Sequence, residues 1–229
     1  MKSQTSLVRQ FSRASGTIFR AAFPPLVVLG KAVGLLTHRR SFLRQSGYIQ
    51  SVKLKKPIRR DGSPIPWMNY SIVAFLEERL QKDLSLFEYG CGNSTLFYAS
   101  RVANVVSVER DPEWYGYVAK NMPANARLIL HHPFDVAEYV SLMSRERRKF
   151  DVIVVDDAAR AECLLAAPPN LTARGVILID DTQRGDNEHA IAKVRQQGFR
   201  SLEFRGLKPN AVREYGTTLL YRDGNCLGL

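Results

Sequence analysis

From residue 84 onward, short apolar runs alternate with stretches of helical periodicity, and few folds accommodate that rhythm. Residues 84–89, 105–108, 127–130, 151–155 and 176–179 read as strands. Between and after them, residues 95–102, 112–120, 136–147, 161–171 and 188–197 carry helical patterns. Pro112 suits the first turn of its helix, and Gly198 suits a C-cap. Strands joined by such helices require right-handed crossovers, hence a doubly wound α/β sheet, mostly parallel, with helices on both faces. Residues 201–204 and 217–221 are two further strands with Gly206, Pro209, Asn210 and Gly216 between them. That spacing predicts an antiparallel hairpin at the sheet edge. Upstream, residues 67–80 form an amphipathic pattern after a loop marked by Gly62, Pro64 and Pro66.

The 229 residues suit one domain with some chain to spare. The net charge of +11 is unevenly placed: 13 of the 33 Lys and Arg lie in residues 1–60, which hold no Asp or Glu. Residues 61–229 carry 20 basic against 22 acidic side chains. The chain therefore divides into a basic extension, 1–60, and a near-neutral domain, 61–229. An acid-free arm suits anionic lipid, nucleic acid or an acidic partner, or is simply a solvated leader. Within it, Leu7, Phe11, Ile18 and Phe19 share one helical face, and residues 21–36 are mostly apolar. That stretch is shorter than the roughly 20 residues a bilayer span needs. It fits a peripheral membrane anchor, an organelle transit peptide or a packing helix. Cys91, Cys163 and Cys226 are odd in number and widely spaced, so a zinc site and a disulfide framework are disfavoured and a cytoplasmic, reducing setting fits.

The first strand runs into Glu88-Tyr89-Gly90-Cys91-Gly92-Asn93-Ser94-Thr95. In a doubly wound sheet, ligands bind at the carboxyl ends of the strands. Gly90 and Gly92 let the backbone turn and let a ligand approach. Asn93, Ser94 or Thr95 can cap the helix that follows. A dinucleotide loop would have a third glycine where Thr95 stands. Glu109 ends the second strand, 17 residues after Gly92, where a carboxylate can accept from both ribose hydroxyls. Glu88 can meet the amino-acid portion of S-adenosylmethionine and would repel a pyrophosphate. Asp135, with His131, His132 and Phe134, follows the third strand and is placed to line an adenine pocket. Trp67 and Tyr70 either cover the ligand or pack in the core. Cys91 is explained by its small size.

Two more strands end in paired carboxylates, Asp156-Asp157 and Asp180-Asp181. Parallel neighbours lie about 4.8 Å apart, so these tips can converge. Asp156 with Asp180 or Asp181 could hold Mg²⁺, or the acids could serve as helix caps and loop hydrogen-bond acceptors. Asp156 and Asp181 are the candidates for removing a proton from a hydroxyl acceptor.

Three stretches resemble the class I S-adenosylmethionine-dependent methyltransferases: Phe87 to Thr95, Val106 to Tyr115 with Glu109-Arg110-Asp111-Pro112, and Phe150 to Asp157. More narrowly, the chain resembles a group with a Trp-x-Asn-Tyr lead-in (Trp67 to Tyr70) and the Gly-Cys-Gly-Asn-Ser-Thr loop. The resemblance covers residues 62–229. It implies a seven-stranded Rossmann-like methyltransferase fold and S-adenosylmethionine as methyl donor. The implied cofactor contacts are Glu88, Gly90, Gly92 and Glu109; Asn93, Ser94, Thr95, Arg110, Asp135 and Asp156 are further candidate cofactor contacts. Ile179-Asp180-Asp181-Thr182 is similar to the metal-binding segment of catechol- and caffeoyl-CoA-type O-methyltransferases, which implies Mg²⁺ on Asp156, Asp180 and Asp181. The expected acceptor is a small or lipid-linked molecule, methylated at oxygen. Nucleic acid is not expected, because no basic-aromatic platform interrupts the neutral domain. Two other readings remain open: a membrane-associated binding protein without catalysis, and a nucleotide-linked oxidoreductase.

Overall fold

A computed structural model describes residues 24–229. The helical face of Leu7, Phe11, Ile18 and Phe19 lies outside the described residues. The chain divides into two compact units at Ser46/Gly47. The first contains α1 (Pro24–Thr37) and the short α2 (Phe42–Gln45), which is capped by Ser41. No helix among the described residues is long and apolar enough to cross a membrane.

The second unit starts at Gly47, ahead of the boundary at residue 60 that the charge pattern suggested. Its first helix, α3 (Tyr48–Leu54), is tied to the chain beyond it by the buried Ser51. The Ser51 hydroxyl donates to the Ile58 carbonyl at 3.0 Å and accepts from the Ile58 amide at 3.1 Å. Burial of Ile58 thus places part of the basic stretch with the domain.

Then follow α4 (Tyr70–Arg79), β1 (Ser85–Tyr89), α5 (Asn93–Ala99), β2 (Asn104–Glu109), α6 (Pro112–Ala119), β3 (Ala126–Leu130), α7 (Val136–Arg145) and β4 (Phe150–Val155). The last elements are α8 (Arg160–Ala166), β5 (Leu171–Asp180), α9 (Gly185–Gln196), β6 (Arg200–Leu207) and β7 (Glu214–Tyr221). The strands form one seven-stranded sheet in the order β3-β2-β1-β4-β5-β7-β6. β7 runs antiparallel to both β5 and β6, and the other pairs are parallel. The order reverses between β1 and β4, which leaves a crevice at their carboxyl ends.

The strands are apolar on both sides because both sides are covered. Leu86, Val105, Val152, Val154, Leu178 and Leu219 face α4 and α5, with Ile72, Val73, Leu76 and Phe97. Their sequence neighbours Phe87, Tyr89, Val106, Ile153, Val155, Ile177 and Leu220 pack with Tyr139 and Met143 of α7, Leu164 of α8 and Val194 of α9. This period of two assigns Glu88 to the α4–α5 side.

Several boundaries differ from the sequence pattern. The helix expected over 161–171 stops at Ala166, where Pro168 and Pro169 start a 3₁₀ turn and Leu171 begins β5. The hairpin is longer than expected, because Gly206 pairs with Tyr215 and Gly216 with Arg205 inside the ladder. A Cβ on Gly216 would lie 2.6 Å from the Thr182 hydroxyl, so that glycine marks a close approach.

Asn69 joins the lead-in to this hairpin. Fully buried, it caps α4 by accepting from the Ile72 amide at 3.1 Å. Its amide group donates to the Phe204 carbonyl and to the Thr217 hydroxyl, both at 3.0 Å. Asn69→Ala is expected to cost about 2–4 kcal/mol, from the lost cap and the stranded buried partners. Urea unfolding would show this as a lower midpoint at unchanged slope.

Candidate active site

The carboxyl ends of β1, β2, β4 and β5 place most of the acids singled out above along one edge. Glu88 sits beside Ser107 of β2 and Val154 of β4 in the sheet register. It is almost wholly buried, and its Oε2 accepts from the Ser107 hydroxyl at 2.6 Å and the Thr95 hydroxyl at 2.7 Å. Thr95 Oγ1 in turn accepts from the Gly92 amide at 3.1 Å. Burial pushes the Glu88 carboxyl up to about 7, even though the Ser107 and Thr95 hydrogen bonds pull it down. Thr95 therefore does more than replace a third glycine: it couples the loop to the acid.

The loop helix begins at Asn93 with Gly92 as its N-cap, so Asn93, Ser94 and Thr95 form its first turn and none of them is the cap. Gly90 has φ +101°, and a Cβ there would lie 2.9 Å from the Asp156 carbonyl. Gly92 has φ +154°, again outside the range side chains favour. The Asp156 amide donates to the Tyr89 carbonyl at 3.1 Å, which fastens the β4 exit against the β1 exit.

Glu109 is nearly buried, and its Oε1 accepts from the amides of Arg110 and Asp111, each at 2.9 Å. Burial raises its carboxyl above the usual range. The Cys91 thiol donates to Glu109 Oε2 at 3.3 Å, and burial beside Glu109 pushes the thiol far above its usual value. Trp114 of α6 donates its indole N–H to the Cys91 carbonyl at 2.9 Å and stacks on Tyr117, ring centroids 5.3 Å apart.

A cavity of about 780 Å³ opens here. Glu88, Gly90, Gly92, Asn93, Ser94, Asp156 and Asp181 line it, joined by Trp67, Trp114 and Tyr117. Such a volume is typical of small-molecule sites, about 300–1,000 Å³. Gly90, Gly92 and Glu88 on the lining suit a nucleoside with a charged amino-acid tail, while Glu109 and Thr95 lie behind the lining. Arg110 lines a neighbouring cavity with Asp156 and pairs with Asp157 at 3.3 Å. Asp135 lines neither: it caps α7, accepting from the Glu138 amide at 2.8 Å, and its backbone meets His131. Tyr70 is buried with the core, whereas Trp67 is exposed on the cavity.

The expected Mg²⁺ site does not fit its residues. Lys208, unremarked in the sequence, reaches Asp180 and bonds Asp181 Oδ1 at 2.5 Å. Asp180 is fully buried and also accepts from the Thr217 hydroxyl at 2.5 Å. Arg160 pairs with Asp156 at 2.9 Å and Asp181 at 3.6 Å, and Arg184 with Asp181 at 3.1 Å. Three cations thus occupy the oxygens a divalent ion would need, and the described residues hold no other metal-binding cluster. Burial and the charge of Asp180 push the Asp156 carboxyl well up against the pull of Arg160. Burial also raises Asp181, but Lys208, Arg160 and Arg184 outweigh it and hold that carboxyl low. Lys208 stays protonated, because Asp180 and Asp156 outweigh its burial.

No protein-family model and no curated protein sequence matches the chain. Solved structures do. It is similar to a precorrin 8w decarboxylase from Methanobacterium thermoautotrophicum at 19% identity and TM-score 0.54, covering 69% of this chain and 93% of that one. It is similar to a precorrin-6y C5,15-methyltransferase from Geobacter metallireducens at 15% identity and TM-score 0.51, covering 66% and 87%. A candidate caffeoyl-CoA O-methyltransferase from Staphylococcus aureus is 14% identical, with TM-score 0.52 over 84% and 98% of the two chains. These likenesses establish the Rossmann-like methyltransferase fold.

Removing Lys208 would leave Asp180 and Asp181 facing each other without its ammonium. Lys208→Met is expected to destabilise by about 3–5 kcal/mol, as for a broken buried ion pair. Adding Asp180→Asn should recover part of that loss. Thermal melts with millimolar Mg²⁺ or a chelator should leave the wild-type midpoint unchanged; a rise with Mg²⁺ would contradict the assignment.

Proposed function

We propose that the chain is an S-adenosylmethionine-dependent methyltransferase acting on a small or lipid-linked molecule at oxygen. The observation that carries this is the placing of two buried acids beside the glycine loop, Glu88 in β1 and Glu109 at the end of β2. S-adenosylmethionine brings a methyl group already activated on a sulfonium, so the protein need only align an acceptor and exclude water. Glu88 offers a negative charge to the cationic amino-acid end, and Glu109 accepts from the ribose hydroxyls. Gly90 and Gly92 keep side chains out of the approach. Trp114 and Tyr117 give an aromatic wall. Asp156, which lines the cavity, takes the acceptor's proton. Asp181, held low by three cations, fixes Lys208 and the two arginines.

The glycine loop of an oxidoreductase would need room for a pyrophosphate, and here Glu88, bonded by Thr95, sets a carboxylate beside it. This favours the methyl donor over a dinucleotide.

Peripheral membrane contact is part of the same reading. Leu26, Val28, Leu29, Val33 and Leu36 of α1 are exposed, and His38, Arg39, Arg40 and Arg44 follow them. Such a helix lies in an anionic interface rather than across it. Full-length protein should sediment with phosphatidylserine vesicles, less so at high salt, and Leu29→Glu with Val33→Glu should abolish this. Protein that stays in the supernatant at low salt would overturn the membrane assignment.

Calorimetry with S-adenosylmethionine tests the donor. Glu109→Ala should weaken binding about 10–100-fold, the worth of one or two charge-assisted hydrogen bonds. The pH dependence has a definite sign. A carboxyl raised to about 7 is increasingly protonated as pH falls, and the cationic ligand prefers it ionised. Affinity should therefore drop by up to about tenfold per pH unit below about pH 7, and Glu88→Gln should flatten that slope. Absence of binding to the wild type at any pH would sink the proposal.

A further inference from the structure

The charges around the cavity do not balance. On and beneath its floor, Asp156, Asp180 and Asp181 are matched by Arg160, Arg184 and Lys208, three on three, with Asp180 and Arg160 behind the lining. Lys55, Lys56 and Arg213 line the same cavity, and among the described residues none of them pairs with a carboxylate. Two of them rest on aromatic rings instead. Lys56 lies over Tyr117 at 5.4 Å, and Arg213 over Tyr215 at 5.0 Å. The remaining acid on the lining, Glu88, is buried deep in the loop.

These cations come from two segments far apart in sequence, and both segments are held in place. The Tyr48 hydroxyl donates to the Ala211 carbonyl at 2.9 Å, tying α3 to the β6–β7 connection. Asn93 donates to the Pro57 carbonyl at 2.8 Å, tying the lysine-bearing turn to the glycine loop. The Ser51–Ile58 pair closes that turn from behind. Lys55 and Asn210, one on each segment, hold left-handed backbones at φ +51° and +60°, and so does Asp181 on the floor, at +56°. Strained residues of this kind gather where a site needs a particular geometry. Uncompensated cations in a concave, partly apolar site concentrate the field on a bound anion.

We propose that this rim is an anion subsite, in which Lys55, Lys56 and Arg213 hold the phosphate or carboxylate group of a small acidic acceptor. Calling the ligand an acceptor rests on the methyltransferase reading; the anion site itself rests on the charge geometry alone. The subsite sets specificity by gripping the far end of the substrate, away from the atom that is methylated. An uncharged analogue would gain nothing from these three exposed cations and would bind more weakly.

Two measurements test this with the full chain. Calorimetry with pyrophosphate, at physiological salt and without S-adenosylmethionine, should show one site. Lys55→Ala/Lys56→Ala/Arg213→Ala should weaken it at least tenfold at unchanged melting temperature. Lys53→Ala, in the last turn of α3 and off the cavity lining, should leave it unaltered. Equal binding by the triple variant, or none by the wild type, would overturn the proposal. In the second, label from methyl-labelled S-adenosylmethionine is followed into a metabolite extract separated by anion exchange. Label in the acidic fraction supports the subsite, and its sensitivity to phosphatase tells phosphate from carboxylate. Label in the neutral fraction, or in added RNA, overturns it. If no label moves and S-adenosylmethionine does not bind, the methyltransferase reading fails, and the pyrophosphate titration still decides the anion site.

Discussion

A carboxylate at the end of β1 cannot be buried without partners, and satisfying Glu88 organises much of what surrounds it. Its neighbour in the parallel register is Ser107, whose hydroxyl bonds it directly. Its second donor, Thr95, lies in the first turn of α5 and also receives the Gly92 amide. One buried charge therefore ties together strand β1, strand β2, the glycine turn and the helix after it. The glycine loop is held open from below, and its backbone cannot collapse onto the sheet edge. Desolvation is not fully offset, which is why this acid is poised near neutrality.

A second constraint lies across the crevice, where β4 and β5 each end in a pair of consecutive carboxylates. Like charges at neighbouring strand tips repel, and something positive has to sit among them. Proteins with comparable tips can use a divalent ion. Here Lys208 arrives from the β6–β7 connection and bonds both Asp180 and Asp181, and Arg160 spans Asp156 and Asp181. The antiparallel hairpin thus has a role in the site as well as at the sheet edge. It carries Lys208 to the floor and Arg213 to the rim.

The sequence made the architecture readable, because strands covered on both faces leave unbroken Val/Ile/Leu runs and the helices between them keep their period. It also showed Glu88, Glu109 and the two glycines, since each stands at a strand end. What escaped it depends on contacts between distant segments. Lys208 is 27 residues beyond Asp181 in a stretch punctuated like a loop, and nothing local marks it. Gly206 and Gly216 looked like turn residues, yet both lie in paired strands, Gly216 because Thr182 crowds it. The role of Thr95 is equally non-local, since only the fold brings its hydroxyl under Glu88. Asp135 stood where an adenine contact was expected, and its capping of α7 through Oδ1 was not read.

The central claim is that the β1 loop and the β2 acid together form the donor site. A crystal structure of the protein with S-adenosylhomocysteine tests it most directly. The account predicts the nucleoside against Gly90 and Gly92, both ribose hydroxyls on the Glu109 carboxylate, and the amino-acid end toward Glu88. A nucleoside bound elsewhere, or one whose ribose leaves Glu109 untouched, would contradict it.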